Sequence, residues 1–306
     1  MEIAIIGFGS IGKRHFDLLK SKGATVYVVS RHFDTMKKIF FRNIDDLLKK
    51  YSPNIVWICT ETSEHINILM QLNARKYQGC VLVEKPLFHG EIQQNFENLK
   101  LVYVTYNLRR HPALSLLKQN LTETPQKILA ANAYVGQYLP LWRPGTDYRN
   151  SYSADIERGG GAIRDLSHEI DYLIWLFGYP SKILSSGGHI SELNIRSDDY
   201  YNILFDGTNY PYINLNVNYL DRITQRYLTI HTDKYTYHLD FMAGYLRRNK
   251  ELLIENVKML DSYIIQADSL LKNDFLNFCS YDEGIKIMKI ISLVEKSNEN
   301  RMWVEL

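Results

Sequence analysis

A glycine-rich turn, set between a short apolar run and a helical pattern, constrains the fold more than any other feature of this sequence. Residues 1–15 read Met1-Glu-Ile-Ala-Ile-Ile-Gly-Phe-Gly-Ser-Ile-Gly-Lys-Arg-His15. The pattern predicts a strand, a tight turn and a helix, in which Gly7 permits the turn, Gly9 admits a pyrophosphate close to the backbone and Gly12 allows close helix packing. N–H groups at the start of such a helix attract phosphate. A structural turn without a nucleotide is the alternative. The predicted dinucleotide contacts are Gly7, Gly9, Ser10, Ile11 and Gly12.

Length and composition limit the class of protein. The chain has 306 residues, enough for two domains. Its 36 basic and 34 acidic residues leave a net charge of +2, so we expect no nucleic-acid or membrane partner. Cys59, Cys80 and Cys279 show no metal-ligand spacing, which indicates free thiols and no metal site. Since no apolar run is long enough for a signal peptide or a membrane span, we expect a cytoplasmic protein.

The end of the second predicted strand, residues 24–29, bears on the type of cofactor. Ser30 and Arg31 follow it, and the next acid is Asp34. In dinucleotide-binding folds an acid at this place binds the ribose hydroxyls, whereas an arginine accommodates a 2′-phosphate. We therefore expect NADP(H) to be favoured over NAD(H), with Ser30 and Arg31 as cofactor contacts. The alternative is a solvated Arg31 with Asp34 reaching back to the ribose.

Two further strands, predicted over residues 53–60 and 79–87, end in polar residues. Ligands of open α/β sheets bind at the carboxyl ends of the strands. A helix cap is the alternative role for the histidine after the first of these strands. The cofactor contacts predicted here are Thr60, His65, Glu84 and Lys85.

These motifs, in this order, resemble the glucose-fructose oxidoreductase, inositol dehydrogenase and rhizopine-catabolism (Gfo/Idh/MocA) family. The motifs are the glycine turn, Thr-x-x-x-x-His over 60–65, Glu-Lys-Pro over 84–86 and Tyr-Asn-x-Arg over 106–109. The resemblance covers nearly the whole chain. It implies that Lys85 is catalytic beside the nicotinamide, and that Tyr106, Asn107 and Arg109 line the active site.

An irregular loop over residues 138–153 mixes aromatic and charged side chains without strand or helix periodicity. Such a loop suits a polar ligand, and arginine matches carboxylate or phosphate. We therefore expect an anionic sugar or nucleotide sugar; a surface loop with internal salt bridges is the alternative. The loop also resembles a family branch associated with surface-polysaccharide sugar biosynthesis. The predicted substrate contacts are Trp142, Arg143, Tyr148 and Arg149.

Three glycines, residues 159–161, precede a predicted amphipathic helix over residues 166–177. The family places an Asp-x-x-x-His-x-x-Asp pattern here, in which the histidine is the acid/base and the first aspartate supports it. His168 matches that histidine. The segment is one residue shorter, so Asp165 lies three residues before His168 and Arg164 lies four before it. We predict His168 and Asp165 as catalytic residues and Arg164 as a substrate contact. Either Asp165 or Arg164 can occupy the place of the family acid.

Alternating apolar residues from 181 to 242 predict consecutive strands. The sequence thus predicts an α/β N-terminal Rossmann domain, residues 1–118, followed by an α+β domain with an open, mainly antiparallel sheet, residues 119–306. The C-terminal segment can pack back on the first domain. One sheet face should cover the helix at 166–177, and the other should pair subunits in a homo-oligomer, a dimer or tetramer.

The main functional hypothesis is an NAD(P)-dependent oxidoreductase that moves hydride between nicotinamide and a carbinol carbon of a sugar, cyclitol or nucleotide sugar. Histidine suits removal of the hydroxyl proton near neutral pH, and a lysine stabilises negative charge on the oxygen. The alternative is a nucleotide-binding regulator or scaffold of the same fold without turnover. A third hypothesis is a tightly held cofactor recycled within one site.

Overall fold

The computed structural model describes residues 1–31, 38–92, 94–208 and 210–306. The chain divides into two compact units. The first contains Met1–Tyr106 and Ile264–Ile285, and the second contains Asn107–Tyr263 and Lys286–Leu306. The predicted boundary after residue 118 falls inside a helix of the second unit, and a C-terminal segment belongs to the first unit.

The helices and strands alternate in the first part of the chain, and strands dominate the later part. The α-helices are α1 Ser10–Ser21, α2 Ile44–Leu48, α3 His65–Ala74, α4 Pro112–Glu123, α5 Ala162–Asp165, α6 His168–Phe177, α7 Met259–Leu271 and α8 Tyr281–Asn300. The strands are β1 Glu2–Ile6, β2 Thr25–Val29, β3 Phe40–Phe41, β4 Ile55–Ile58, β5 Cys80–Val83, β6 Val102–Val104, β7 Ile128–Gly136, β8 Lys182–Gly188, β9 Tyr200–Gly207, β10 Tyr210–Asn218, β11 Gln225–Thr232, β12 Thr236–Asp240, β13 Tyr245–Arg248, β14 Glu251–Ile254, β15 Cys279–Ser280 and β16 Val304–Glu305. Short 3₁₀ turns lie at Thr62–Glu64, Asn107–Arg110, Leu139–Leu141, Tyr148–Asn150, Tyr152–Ala154 and Ile156–Arg158.

The sheet of the first unit has the strand order β15-β6-β5-β4-β1-β2-β3. All neighbours pair in parallel except β15, which runs antiparallel to β6. The chain moves outward from β1 on one side through β2 and β3, and on the other through β4 to β6. The order reverses at β1, so a crevice for a ligand forms outside its carboxyl end. The predicted Rossmann domain is confirmed.

Burial explains why the central strands are almost uniformly apolar. Every residue of β4 and β5 is buried, as expected for a parallel sheet that is covered on both faces. The core of this unit also includes Ala267, Leu270 and Phe278 from the C-terminal segment. Helix α7, which supplies two of these residues, and the short strand β3 do not follow from the sequence patterns described above.

The sheet of the second unit has the order β14-β13-β12-β11-β7-β10-β9-β8-β16. Its pairs are antiparallel except for β7 with β10. Along β10, Ile213, Leu215 and Val217 are buried and alternate with asparagines, the pattern of a sheet with one covered face. Helix α6 packs on β7, and α5 packs on β9 and β10. These findings confirm the predicted open, mainly antiparallel sheet.

His111 is a buried histidine of the second unit. It precedes α4, is 0% exposed, and its ring lies 5.0 Å from that of Phe241. Neither ring nitrogen has a hydrogen-bond partner among the described residues. Burial lowers the pKa of His111 to about 4, with the charge of Asp261 opposing that shift and the charge of Arg226 adding to it.

We expect the neutral, buried His111 to make the protein less stable as pH falls. The unfolded chain takes up the proton near pH 6.5, whereas folded His111 stays neutral until about pH 4, so stability falls over that window. His111→Leu should remove about 2 kcal/mol of the loss in unfolding free energy between pH 7.5 and 5. Urea unfolding at both pH values measures it, with the exposed His231→Gln as control. An unchanged pH dependence in His111→Leu would contradict the assignment.

Candidate active site

The turn after β1 has the geometry that its glycines predict. Gly7 has φ +95° and its N–H donates to Val29 O over 2.9 Å. A Cβ on Gly12 would lie 2.2 Å from Gly7 O, whereas a Cβ on Gly9 would meet nothing within 4 Å. Gly12 therefore permits backbone contact between α1 and the turn, and Gly9 leaves open space above the backbone.

The site fits a dinucleotide phosphate at three points. Gly9 and Ser10 are exposed, and no side chain caps the N-terminus of α1, so its N–H groups can meet an anion. On the neighbouring strand end, the buried Thr60 Oγ1 has no hydrogen-bond partner among the described residues. A polar atom buried without a partner is costly, and a bound cofactor would supply one. Ile11 is half-buried in the first turn of α1, next to the exposed Ser10.

The two residues predicted to select the cofactor lie at the end of β2. Ser30 is buried and its N–H donates to Phe41 O over 3.1 Å, while Arg31 is exposed. This arrangement leaves the arginine side chain accessible to a ligand. Asp34, the alternative ribose partner, lies outside the described residues.

His65 is a buried link between two loops rather than an exposed side chain. Its Nδ1 lies 3.1 Å from Leu87 O and its Nε2 lies 3.3 Å from Thr60 O. Burial lowers the pKa of His65, and the two carbonyl groups oppose that shift. His65 therefore holds the segment after β4 against the segment after β5, and direct contact with the cofactor stays a prediction.

Glu84 and Lys85 follow β5 directly, at the edge where β1 ends. Lys85 is half-buried and precedes Pro86 through a cis peptide bond. The carboxylate of Glu84 accepts hydrogen bonds from His15 and from the indole N–H of Trp57. No local sequence motif relates His15 of a helix and Trp57 of a strand to an acid so far along the chain, so sequence alone does not predict them as partners of Glu84.

A broad cavity of about 820 Å³ lies at the opposite edge of this sheet. Its lining includes Ile55 and Cys80, which begin β4 and β5, and the exposed Arg75 and Leu101. Because dinucleotides bind at the carboxyl ends of such strands, we do not assign this cavity to the cofactor.

In the second unit, the predicted helix is broken and mostly buried, and Trp175 and Leu176 are its half-buried residues. Helix α5 ends at Asp165 and α6 begins at His168, which is 8% exposed. Polar residues of α6 do not face solvent: Glu169, Asp171 and Tyr172 are all 0% exposed. A helix with so little exposed surface is expected in the interior of a domain, and its polar residues must find partners there.

Two tyrosines hold Asp165, and one of them belongs to the irregular loop. Tyr219 donates its hydroxyl to Asp165 Oδ2 over 2.6 Å, and Tyr152 also hydrogen-bonds Asp165. Trp142 packs edge-on against Tyr219 with ring centroids 5.3 Å apart, and the guanidinium of Arg143 lies 5.1 Å from the Tyr152 ring. These two predicted substrate residues therefore lie above the tyrosines that fix Asp165.

The other two predicted loop contacts, Tyr148 and Arg149, already have partners in the protein. Arg149 pairs with Asp147 over 2.7 Å on the surface, and Tyr148 OH accepts the N–H of Asn194 over 3.3 Å. The Arg149–Asp147 pair is a salt bridge within the loop, and contact of Tyr148 and Arg149 with substrate stays a prediction.

The remaining predicted substrate residues are buried in contacts of their own. Arg109 makes a two-oxygen ion pair with Asp171, and Asn107 donates to Ser262 Oγ over 2.7 Å. Arg164 pairs with Glu295 over 2.7 Å. Tyr106 is 3% exposed and ends the first part of the first unit. Their contact with substrate stays a prediction.

Asp198 is a buried acid that the sequence analysis did not single out. Its Oδ2 accepts the N–H of Ile163, and a Cβ on Gly161 would lie 2.2 Å from its Oδ1. Burial raises the pKa of Asp198 to about 7, although the Ile163 N–H and the charge of Arg164 oppose this. The glycine run therefore makes room for a carboxyl group that anchors the start of α5.

The fold and the edge that carries the glycine turn define a dinucleotide-binding protein of the Rossmann type. Residues 1–105 match the GFO_IDH_MocA family model, described as an oxidoreductase family with an NAD-binding Rossmann fold. The resemblance to the Gfo/Idh/MocA family is thereby confirmed over the N-terminal domain. No curated protein sequence matches the chain.

Solved structures share the fold over the whole chain. A levoglucosan dehydrogenase in complex with NADH and levoglucosan is 16% identical, covers 100% of this chain and 99% of its own, and has a TM-score of 0.85. The WlbA dehydrogenase from Bordetella pertussis in complex with NADH and UDP-GlcNAcA is 17% identical, covers 100% of this chain and 98% of its own, and has a TM-score of 0.80. A myo-inositol dehydrogenase from Corynebacterium glutamicum ATCC 13032 is 14% identical, covers 100% of this chain and 98% of its own, and has a TM-score of 0.80. At these identities the likeness shows a common fold.

Among the described residues, none of the helices has the length and apolar character needed to span a bilayer.

Substitution of two glycines by alanine should separate binding from stability. In Gly9→Ala the new methyl group enters open space, so the unfolding free energy should change by less than about 1 kcal/mol while NADH or NADPH affinity falls about tenfold or more. In Gly12→Ala the methyl group overlaps Gly7 O, which should cost about 1–3 kcal/mol of stability. Urea unfolding and dinucleotide fluorescence titration measure both effects. Unchanged affinity in Gly9→Ala would contradict the phosphate site.

Proposed function

We propose that the chain is an NAD(P)-dependent oxidoreductase that transfers hydride between nicotinamide and a carbinol or keto carbon of a sugar, cyclitol or nucleotide sugar. The observation that carries the proposal is Lys85 at the carboxyl tip of β5 in a Rossmann domain that matches an oxidoreductase family. A lysine at that strand end lies at the edge where the glycine turn and the orphaned Thr60 hydroxyl fit a dinucleotide.

The roles of the chain's own residues follow from their chemistry. A bound nicotinamide would supply the hydride acceptor or donor. Lys85 would hydrogen-bond the reacting oxygen of the substrate and stabilise negative charge on it. His168 would take the hydroxyl proton on oxidation and return it on reduction. Asp165, fixed by the Tyr219 hydroxyl, would support the histidine.

The nature of the loop supports a substrate with an anionic group. Arg143 is exposed above the Tyr152 ring, whereas Arg149 is already paired with Asp147. A guanidinium next to an aromatic face can bind a phosphate or carboxylate while its aromatic neighbour packs on a sugar ring. We therefore place nucleotide sugars and acidic sugars first among the substrates, and Arg143 first among the loop residues that would bind them.

Removal of the two proposed catalytic side chains should abolish turnover without unfolding the protein. The assay follows dinucleotide absorbance with UDP-GlcNAcA, levoglucosan and myo-inositol, the compounds named with the structural relatives. Lys85→Met and His168→Asn should each lower kcat about 100-fold or more, since each removes a group that acts on the reacting oxygen or its proton. Lys100→Met and His231→Asn, at exposed positions, serve as matched controls.

The result of this assay also decides between the proposal and its rivals. Binding of dinucleotide without turnover on any of a broad set of sugars would favour a regulator or scaffold, and Lys85→Met would then leave function intact. Turnover of sugar without net change in free dinucleotide would indicate a tightly held cofactor that is recycled within the site.

For the cofactor, we propose a preference for NADP(H), carried by Arg31. The structures of the same fold contain NAD or NADH. The choice between NADP(H) and NAD(H) in this chain would depend on its own residues. Arg31 is exposed directly after β2, where a guanidinium can pair with a 2′-phosphate.

Arg31→Ala should therefore weaken NADPH binding about tenfold or more and leave NADH binding unchanged. Fluorescence titration with both dinucleotides measures this, with Arg42→Ala, another exposed arginine of the same unit, as control. Tighter binding of NADH by the unmodified protein would show that the preference is for NAD(H).

A further inference from the structure

A buried polar cluster surrounds the carboxylate of Glu84 at the carboxyl edge of the first sheet. His15 Nε2 lies 3.0 Å from Glu84 Oε1, and the indole N–H of Trp57 donates to the same oxygen over 3.1 Å. The His15 and Trp57 rings stack, with centroids 3.7 Å apart and an interplanar angle of 29°. His15 is 1% exposed and Trp57 is 0% exposed. One carboxylate is therefore held from helix α1 and from strand β4 at once.

The charge of Glu84 depends on its hydrogen-bond donors and on the charges near it. Burial alone would raise the pKa of Glu84, but the hydrogen bonds from His15 and Thr105 and the nearby charge of Lys85 outweigh that effect and lower it. Glu84 is therefore an ionised carboxylate in a largely buried place. Loss of a donor to such a group leaves a buried charge poorly compensated, so the carboxylate, and the backbone that carries it, would move to find another partner.

The same atoms do not form a metal site. The ligand atoms of His15, Cys59 and Glu84 lie within 4.8 Å of one another. However, burial raises the pKa of the Cys59 thiol well above its usual value, and metals bind the thiolate. The Glu84 oxygen also already accepts two hydrogen bonds.

We propose that His15 and Trp57 are positioning residues for Lys85, an inference that depends on the proposed role of that lysine in hydride transfer. Glu84 directly precedes Lys85, and its N–H donates to Ile58 O over 2.9 Å. With backbone and carboxylate both fixed, the peptide that orients the Lys85 side chain is fixed as well. His15 belongs to the helix whose first turn contains Gly12, so one ring ties the phosphate-binding helix to the lysine.

Activity of the variants tests this proposal. Trp57→Phe keeps an aromatic ring and removes the N–H donor, and His15→Leu removes the other donor. We expect kcat to fall about 10- to 100-fold in each, because small displacements of a catalytic group have effects of this size, while KM for dinucleotide and sugar changes less than about threefold. His15→Gln, which restores an N–H at a similar reach, should recover most of the rate.

Tyr27→Phe is the matched control. Tyr27 is a buried aromatic residue of the same sheet whose hydroxyl donates to the carboxylate of Glu2 over 3.0 Å, near the start of β1 and far from Lys85 along the strands. It loses one aromatic-to-carboxylate hydrogen bond, as Trp57→Phe does, and its kcat should stay unchanged. An equal fall in kcat for Tyr27→Phe and Trp57→Phe would overturn the proposal. No fall in kcat for Trp57→Phe and His15→Leu would overturn it as well.

A second measurement does not need turnover. Reductive ¹³C-methylation of lysines gives NMR signals, and the signal of Lys85 is identified by its loss in Lys85→Arg. That signal should shift in Trp57→Phe and His15→Leu and stay in place in Tyr27→Phe. If the unmodified protein turns over no sugar, the proposed function fails, yet the shift still decides whether the cluster positions Lys85. An unmoved signal in both variants overturns the inference.

Discussion

Contact between bare backbone atoms at the end of β1 is the constraint on which the first unit depends. A side chain at Gly12 would overlap Gly7 O, and one at Gly7 would lie 2.6 Å from Cys59 O. Helix α1, the turn and the end of β4 therefore meet with no side chains between them. Only at this distance can His15 of α1 reach Glu84 beyond β5. The same contact that shapes a phosphate site thus brings a helix residue to the strand end that carries Lys85.

The second unit meets a different requirement, the burial of charges around α6. The carboxylate of Asp171 accepts hydrogen bonds from two guanidinium nitrogens of Arg109. The buried Glu169 pairs with Arg226 of β11 over 2.8 Å. Buried pairs of this kind add little net stability, but breaking one is costly. They fix the rotation of α6 about its axis. The position of His168 on the first turn of that helix is therefore set by ion pairs rather than by apolar packing alone.

Much of the fold could be predicted from local patterns, whereas the contacts within the site could not. Apolar runs and glycines indicated the Rossmann domain, and alternation indicated the second sheet, because these signals lie within one element. The burial of Glu169 and Asp171 could not be predicted, because helical periodicity places a charged residue on the exposed face unless its distant partner is known. The roles of His15 and Trp57 were missed for the same reason: their shared partner, Glu84, lies on another strand. Which side chains meet a ligand, and the number of subunits, stay predictions.

The first unit has a consequence for the order in which the chain folds. Its core takes in Ala267, Leu270 and Phe278, and β15 completes its sheet beside β6. During synthesis the N-terminal part leaves the ribosome long before these residues exist. Its apolar face on that side stays uncovered while β7 to β14 of the second sheet are made, a period in which nascent chains are prone to aggregate and to bind chaperones. The last part of the first unit to be translated is thus the part that seals it.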